Sequence, residues 1–146
     1  IGDIMSTLLA DTIRKTGGSL GVDIRVKNTS VYESDGGTSV TQNLVQGLTK
    51  VWCNADQNGN RSDSFNVGSV TDHGTGDVTF NYSNAMSNAV YSFVGACSRD
   101  SADDDEGFVF SIHSQATGSA RARHLYLGQT PYDHDIMNTA IHGDLA

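Results

Sequence analysis

SFNVGSVTDHGTGDVTFNY, residues 64–82, is the stretch that decides the fold class. The first and last parts of this stretch carry an apolar side chain at alternate positions: Phe65, Val67, Val78, Phe80 and Tyr82. That period of two predicts strands with one buried face, because successive side chains of a strand point to opposite faces. The glycine-rich residues 72–76 between the two parts predict a turn. The stretch therefore predicts two strands joined by a short connection.

Similar patterns continue on both sides. Further strands are predicted at 48–54, 89–97, 107–114, 121–128 and 136–145. Asn58-Gly59 predicts a two-residue hairpin turn, whose positions both need a positive φ, and the long apolar run at 89–97 predicts a central strand. The spacing leaves no room for the crossover helices of a parallel sheet. We therefore expect a mainly β fold, an antiparallel, jelly-roll-like β-sandwich of about seven to eight strands.

The first third of the chain has a different character. Apolar residues near helical spacing precede Gly17-Gly18, and an alternating strand pattern at 22–26 follows it. Residues 28–46 are polar and rich in Ser, Thr and Gly, which is compatible with an extended linker or with a weakly specified strand pair. We expect residues 1–45 to form a short helical or extended arm used in attachment or trimerisation, and residues 46–146 to form the β-sandwich domain.

Composition and charge exclude several classes of function. The 146 residues include 9 basic and 17 acidic side chains, a net charge of −8, which argues against nucleic-acid binding because phosphates need a basic surface. Nothing approaches the 18 or so consecutive apolar residues of a membrane span. Residues 4–10 are too polar for a signal peptide and lack a basic leader.

Metal sites and disulfides are weakly indicated. Cys53 and Cys97 lie in separate predicted strands, so buried free thiols are favoured over a bridge. Asp133 and His134 could supply two zinc ligands, but no second pair at zinc spacing is present. If the protein is a symmetric trimer, an inward-facing histidine would be repeated three times around the axis, and His124 and His142 are candidates for this position. We predict no metal and no cofactor.

The acidic run at 100–106 could hold calcium, but it lacks the spacing of an EF-hand loop, and a solvated acidic loop is favoured. Arg121 and Arg123 share one strand face, where they could pair with acids across the sheet or meet an anionic ligand; the cross-strand salt bridge is favoured. No Gly-x-Ser-x-Gly elbow or comparable nucleophile motif occurs, so we do not predict an enzyme.

Aromatic residues are candidates for sugar binding, because sugar rings stack on exposed aromatic faces. Trp52, Tyr32, Tyr126 and Tyr132 could serve as such platforms, although the position of Trp52 in the middle of a strand also fits a core residue. Tyr132 follows the chain's single proline in a predicted loop and is the best candidate for an exposed ring.

Several segments together resemble tail-fibre and related fibre-like virion proteins of tailed bacteriophages. The resemblance is carried by residues 6–13, 48–54, 63–80, 85–91 and 143–146, and it is most specific in the central block DSFNVGSVTDHGTGDVTF. The chain departs from the family pattern at Cys53, His73, Ser87 and His142. The resemblance implies a homotrimeric structural component of the virion, and it offers no catalytic motif to carry over.

We therefore expect a tail-fibre or tail-tip protein that attaches to the host surface through its β domain. The alternative is an architectural head-decoration or fibre-adaptor protein without receptor binding. A glycan-cleaving enzyme is a third hypothesis. The expected partners are two further copies of the chain, other virion proteins that bind the N-terminal arm, and a host cell-surface glycan. The expected location is the virion, assembled in the bacterial cytoplasm. Because turns carry binding residues, the candidate receptor contacts are Asn58, Asn60, His73, Tyr132 and His134.

Overall fold

The computed structural model describes residues 31–33, 41–43, 47–98, 108–126 and 130–146. Eleven strands lie in these ranges: β1 (Val31–Glu33), β2 (Thr41–Asn43), β3 (Val51–Ala55), β4 (Arg61–Phe65), β5 (Val67–Asp72), β6 (Asp77–Tyr82), β7 (Ser92–Ser98), β8 (Phe108–Ala116), β9 (Ser119–Tyr126), β10 (Thr130–Pro131) and β11 (Ile136–His142). The helix-like pattern near the N-terminus, the strand pattern at 22–26 and the acidic run at 100–106 lie outside the described residues.

Two antiparallel sheets confirm the predicted β-sandwich. One has four strands in the order β4-β3-β11-β7. The other has five, with β9 at its centre, paired on one side with β8 and on the other with β6 and β10, and with β5 beyond β6. Together the two sheets hold nine of the described strands. In the first third of the chain, β1 and β2 pair antiparallel. Of the two alternatives for residues 28–46, a linker or a strand pair, this part of the segment therefore forms the strand pair.

The core lies between the two sheets. It consists of fully or almost fully buried side chains from both inner faces: Val51, Cys53, Met137 and Ile141 from the four-stranded sheet, and Val78, Phe80, Ala120 and Ala122 from the five-stranded sheet. Phe80 is at its centre, with ring centroids 6.5 Å from Phe93 and 6.3 Å from Phe110. Close packing of this kind fixes the sheets relative to each other and so positions the turns at their ends.

The predicted strand at 64–70 is broken in the structure. Asn66 has φ +58°, and the chain passes at this residue from β4 in one sheet to β5 in the other. Asparagine tolerates this left-handed conformation better than most residues. Its side chain also secures the bend, because Asn66 Oδ1 accepts a hydrogen bond from Asn84 N at 2.7 Å.

One other prediction was wrong in detail, and for Trp52 the structure decides between the two alternatives left open. The apolar run at 89–97 gives β7, which is an edge strand and not a central one, since it pairs only with β11. Trp52 is not a core residue: it is 37% exposed on the outer face of its sheet, whereas Val51 and Cys53 on either side of it are buried. Cys53 and Cys97 are free thiols, as favoured, but only Cys53 is fully buried and Cys97 is half-buried; burial raises the pKa of each to about 11.

Candidate binding site

Three connections meet at one end of the sandwich. They are the β3–β4 turn, the β5–β6 turn and the segment between β10 and β11, and they enclose an open cleft of about 350 Å³. The lining residues of this turn-end cleft are Gln57, Thr75, Tyr132, Asp133 and Asp135. The strand directions explain why these three connections lie together. β3 and β5 belong to different sheets but both run toward this end, and the chain returns to the same end before β11 begins.

Backbone hydrogen bonds around Gly76 join two of these connections. Gly76 N donates to Asp133 Oδ1 at 2.7 Å, and Gly76 O accepts from His124 N at 2.9 Å. Tyr132 N donates in turn to His124 O at 3.2 Å. Gly76 has φ +68°, and a Cβ there would lie 2.5 Å from His124 O and 2.7 Å from Tyr132 N. Only glycine fits this close approach without a backbone shift.

The β3–β4 turn is held by a carboxylate. Asp56 Oδ1 accepts hydrogen bonds from the backbone N–H groups of Asn58 at 2.9 Å and Asn60 at 2.8 Å, and Asp56 Oδ2 accepts one from Asn60 Nδ2 at 2.9 Å. Burial, the largest single influence, raises the pKa of Asp56, but the bonds from Asn60 and Asn58 together outweigh it and lower that pKa. The predicted hairpin is therefore confirmed, but its turn is not of the two-residue type. Of the two central residues, Asn58 and Gly59, only Gly59 has a positive φ.

Tyr132 forms an aromatic wall of the cleft. Its ring centroid is 6.1 Å from that of Tyr126 and 5.4 Å from that of His134. These neighbours restrict the ring, which remains half-buried, so one part of it contributes to the cleft surface. A ring held in this way loses little conformational entropy when a ligand stacks on it.

Two buried histidines lie beneath the cleft. His124 is 1% exposed and His134 is 0% exposed, and their ring centroids are 5.6 Å apart. The His124 ring also makes an edge contact with Phe110 at 5.0 Å, and within the described part of the chain neither of its nitrogens has a hydrogen-bond partner. Burial lowers the pKa of His124 to about 4, with a smaller contribution in the same direction from His134. His124 is therefore neutral near pH 7 and is part of the core, and does not project toward a symmetry axis.

The predicted receptor contacts have different positions in this geometry. Tyr132 lines the cleft, whereas Asn58, Asn60 and His73 are exposed on the turns that form it without lining it. His73 Nε2 is 2.9 Å from Thr79 Oγ1. His134 is buried, so its ring supports the loop from inside and supplies no surface to a ligand.

Four lining residues were not predicted as receptor contacts: Gln57, Thr75, Asp133, which was considered only as a metal ligand, and Asp135. The only sequence signal for them is adjacency, since each lies within two residues of a predicted contact. Carboxylates, an amide and a hydroxyl beside an aromatic ring provide the hydrogen-bond acceptors and donors that a polyhydroxylated ligand requires.

On the outer face of the five-stranded sheet, the arginines pair across strands, as favoured. Asp77 accepts two hydrogen bonds from Arg121, from Nε at 2.7 Å and from Nη2 at 2.8 Å, and Arg123 Nε is 3.7 Å from Asp77 Oδ2. The bond from Arg121 is the main cause that holds the pKa of Asp77 below its usual value. The arginines are thus engaged with an acid of the same sheet.

No family model matches the chain, and no curated protein or solved structure is similar enough to count as a relative. The resemblance to virion fibre proteins therefore stays a prediction. Within the described ranges, no three His, Cys, Asp or Glu side chains form a group that could hold a metal ion. The same part of the chain contains no helix long and apolar enough to cross a membrane.

Proposed function

We propose that this chain is a non-enzymatic structural component of a tailed-phage virion, a tail-fibre or tail-tip protein whose β-sandwich attaches to a glycan on the host surface. It acts as a homotrimer, with the N-terminal arm bound to other virion proteins. It belongs to the virion and is assembled in the cytoplasm of the infected bacterium. The turn-end cleft is the attachment site in this proposal.

The composition of the cleft is the observation that carries the glycan proposal. Tyr132 offers an apolar ring face, while Asp133, Asp135, Gln57 and Thr75 surround it with hydrogen-bonding groups. Sugars have both kinds of surface, apolar ring faces and a rim of hydroxyls. The site is also preorganised, because backbone and side-chain hydrogen bonds at Gly76 fix two of its three connections, and a preorganised site loses less free energy on binding.

A purely architectural role is the second candidate, as a head-decoration or fibre-adaptor protein. The observation that favours it is on a different surface. Trp52, Phe65 and Val94 are 37%, 51% and 59% exposed on the outer face of the four-stranded sheet. An apolar sheet face suits contact with protein better than contact with sugar.

A bacterial glycan array probed with the full chain separates the two functions. We expect binding to at least one surface polysaccharide, and we expect Asp135→Asn to weaken it by about 10- to 100-fold, because a hydrogen bond to a charged group contributes about 1.5–3 kcal/mol. The matched control is Asp63→Asn, which removes an exposed carboxylate outside the cleft and is expected to leave binding unchanged.

Absence of binding to every glycan, together with capture of a virion protein, would contradict attachment and favour the architectural function. Equal binding by wild type and Asp135→Asn would contradict the assignment of the cleft. A reducing-end assay on the bound polysaccharide tests the enzyme hypothesis, and we expect no new reducing ends.

A further inference from the structure

Two histidine rings are buried at the end of the sandwich that carries the turn-end cleft. His124, on β9, is 1% exposed, and His134, three residues after β10, is 0% exposed. Their ring centroids are 5.6 Å apart, and on β8 the neutral ring of Phe110 contacts His124 at 5.0 Å. Histidine is the side chain whose charge most readily changes near neutral pH, and a buried ring that gains a proton becomes a charge without water around it. The ligand contacts proposed for the cleft do not use this pair, so its burial calls for a separate explanation.

A short segment of chain covers the pair. Residues 130–135, which we call the covering segment, run from the start of β10 to the residue before β11 and include His134. Tyr132 in this segment lines the cleft, and its ring centroid is 5.4 Å from that of His134. The segment has solvent on its outer side, since both residues of β10 and also Asp135 are exposed. Displacement of the covering segment therefore brings water to the two rings.

The backbone of His124 joins the covering segment to the β5–β6 turn. His124 N donates to Gly76 O at 2.9 Å, and His124 O accepts a hydrogen bond from Tyr132 N at 3.2 Å. Gly76 N also donates directly to Asp133 Oδ1 at 2.7 Å. His124 thus lies where two of the three connections of the cleft are joined, and displacement of the covering segment breaks the bonds that Tyr132 and Asp133 make there.

The covering segment has less strand pairing than the sheet strand that follows it. β10 pairs with β9 over two residues, whereas β11 pairs with β7 over seven. Segments with little pairing open locally at a lower free-energy cost than the strands of a core. Opening of residues 130–135 therefore requires less free energy than unfolding of the sandwich.

Burial and charge act in opposite directions on His124. Burial is the largest influence and lowers its pKa, and His134 lowers it further. Asp133 of the covering segment raises the pKa, as do Asp77 and Asp72 at the two ends of the β5–β6 turn, but the result is still about 4. In the open form the ring is in water, and its pKa returns toward the usual 6.5. A fall in pH through this range therefore favours the open form, which binds the proton more tightly.

We infer that His124, set against His134, is an acid-sensitive switch that releases the ligand of the turn-end cleft. Protonation of His124 stabilises the open covering segment, which moves Tyr132 and Asp133 away from the β5–β6 turn and so breaks up the binding surface. A bound glycan favours the closed segment and acid favours the open one, so that proton and glycan oppose each other. Release of a glycan rests on the proposed function, whereas opening of the segment is a property of the chain alone.

Amide hydrogen exchange of the full chain without ligand tests the opening, each rate being compared with that of an unstructured peptide at the same pH. The amides of Gly76 and Tyr132 should be less protected than those of β3, which is paired on both sides. Their protection should fall by about 20-fold from pH 7 to pH 5, because the open form binds the proton with the ordinary pKa. Equal protection of Gly76, Tyr132 and β3 at both pH values would overturn the inference, because the segment would then open only when the sandwich unfolds.

Two histidine variants identify the group responsible. His124→Leu should abolish the fall in protection, because leucine occupies the site without binding a proton. His73→Gln is the matched control, since it removes an exposed histidine of the β5–β6 turn, and it should keep the wild-type response. If His124→Leu does not fold, His124→Phe replaces it. A folded variant at position 124 that keeps the wild-type response would overturn the inference.

Dissociation of the chain from an immobilised polysaccharide, the one with the strongest array signal, tests the release. Release through the open form is proportional to the population of that form, so the dissociation rate should rise by about 20-fold from pH 7 to pH 5 in the wild type and not in His124→Leu. A dissociation rate independent of pH would overturn the switch and leave the attachment standing. Absence of glycan binding at pH 7 would overturn the proposed function and the release with it, while the exchange measurement decides separately whether the segment opens.

Discussion

His124 is enclosed by the core, in contact with the aromatic ring of Phe110 and without a hydrogen-bond partner for its ring among the described residues. Its pKa of about 4 in the folded chain is below the usual 6.5, because burial disfavours the imidazolium form. Unfolding returns the side chain to water, where it binds a proton more readily. The unfolded state therefore binds more protons between pH 6.5 and 4, and stability falls as the pH falls through that range.

We predict that acidification from pH 7 to pH 5 lowers the free energy of unfolding by about 2 kcal/mol through His124 alone. His124→Leu should remove this part of the pH dependence, as measured by urea unfolding at both pH values. His113→Gln, which changes an exposed histidine on β8, should retain it. Equal pH dependence in wild type and His124→Leu would show that His124 is not the group responsible.

Single residues also show where sequence reasoning reaches its limit. Trp52 lies between Val51 and Cys53, so all three are apolar and the pattern does not say which face is buried. The structure shows that Val51 and Cys53 point inward, which leaves Trp52 outside. At Asn66 the alternation of apolar residues continues on both sides of the break, so nothing in the pattern marks the passage between sheets. A cross-strand salt bridge of Arg121 was predictable from the sequence, but the identity of its acidic partner, Asp77, was not.

Among the structural elements, the positions of strands and turns along the chain were more predictable than the place of each strand in its sheet. The apolar run at 89–97 was interpreted as a central strand because such strands are buried on both faces. In β7 the run has another origin: alternate residues face the core, and the others, including Val94 and Ala96, are exposed on the outer face of the four-stranded sheet. A continuous apolar run thus indicates two apolar faces and does not require that both be covered within one chain.

The β5–β6 turn depends on Gly76, and we predict that Gly76→Ala lowers the free energy of unfolding by at least about 2 kcal/mol. An alanine at positive φ costs about 1–2 kcal/mol, and the close contacts of its Cβ with His124 O and Tyr132 N add to this. Thermal unfolding measures the loss. Gly118→Ala is the control, because a Cβ there meets nothing within 4 Å. A wild-type Tm for Gly76→Ala would contradict the role given to these contacts.

At the scale of the whole molecule, the β-sandwich was predictable and the site was only partly so. Local alternation and turn composition are enough to indicate two antiparallel sheets. Which turns share an end of the sandwich depends on pairings such as β11 with β3, more than 80 residues apart. That is why Asn58, Asn60 and His73 lie on turns that form the cleft without lining it, while the lining residues Gln57 and Thr75 were not predicted as contacts.

The central claim of this account is that a host glycan binds in the turn-end cleft. Its most direct test is amide hydrogen exchange of the full chain, measured by mass spectrometry with and without the bacterial polysaccharide that gives the strongest array signal. We predict slower exchange in residues 56–60, 73–76 and 132–135, which form the cleft, and no change in β7. Protection confined to β7 and β11, or bound polysaccharide without protection of the three connections, would contradict the claim.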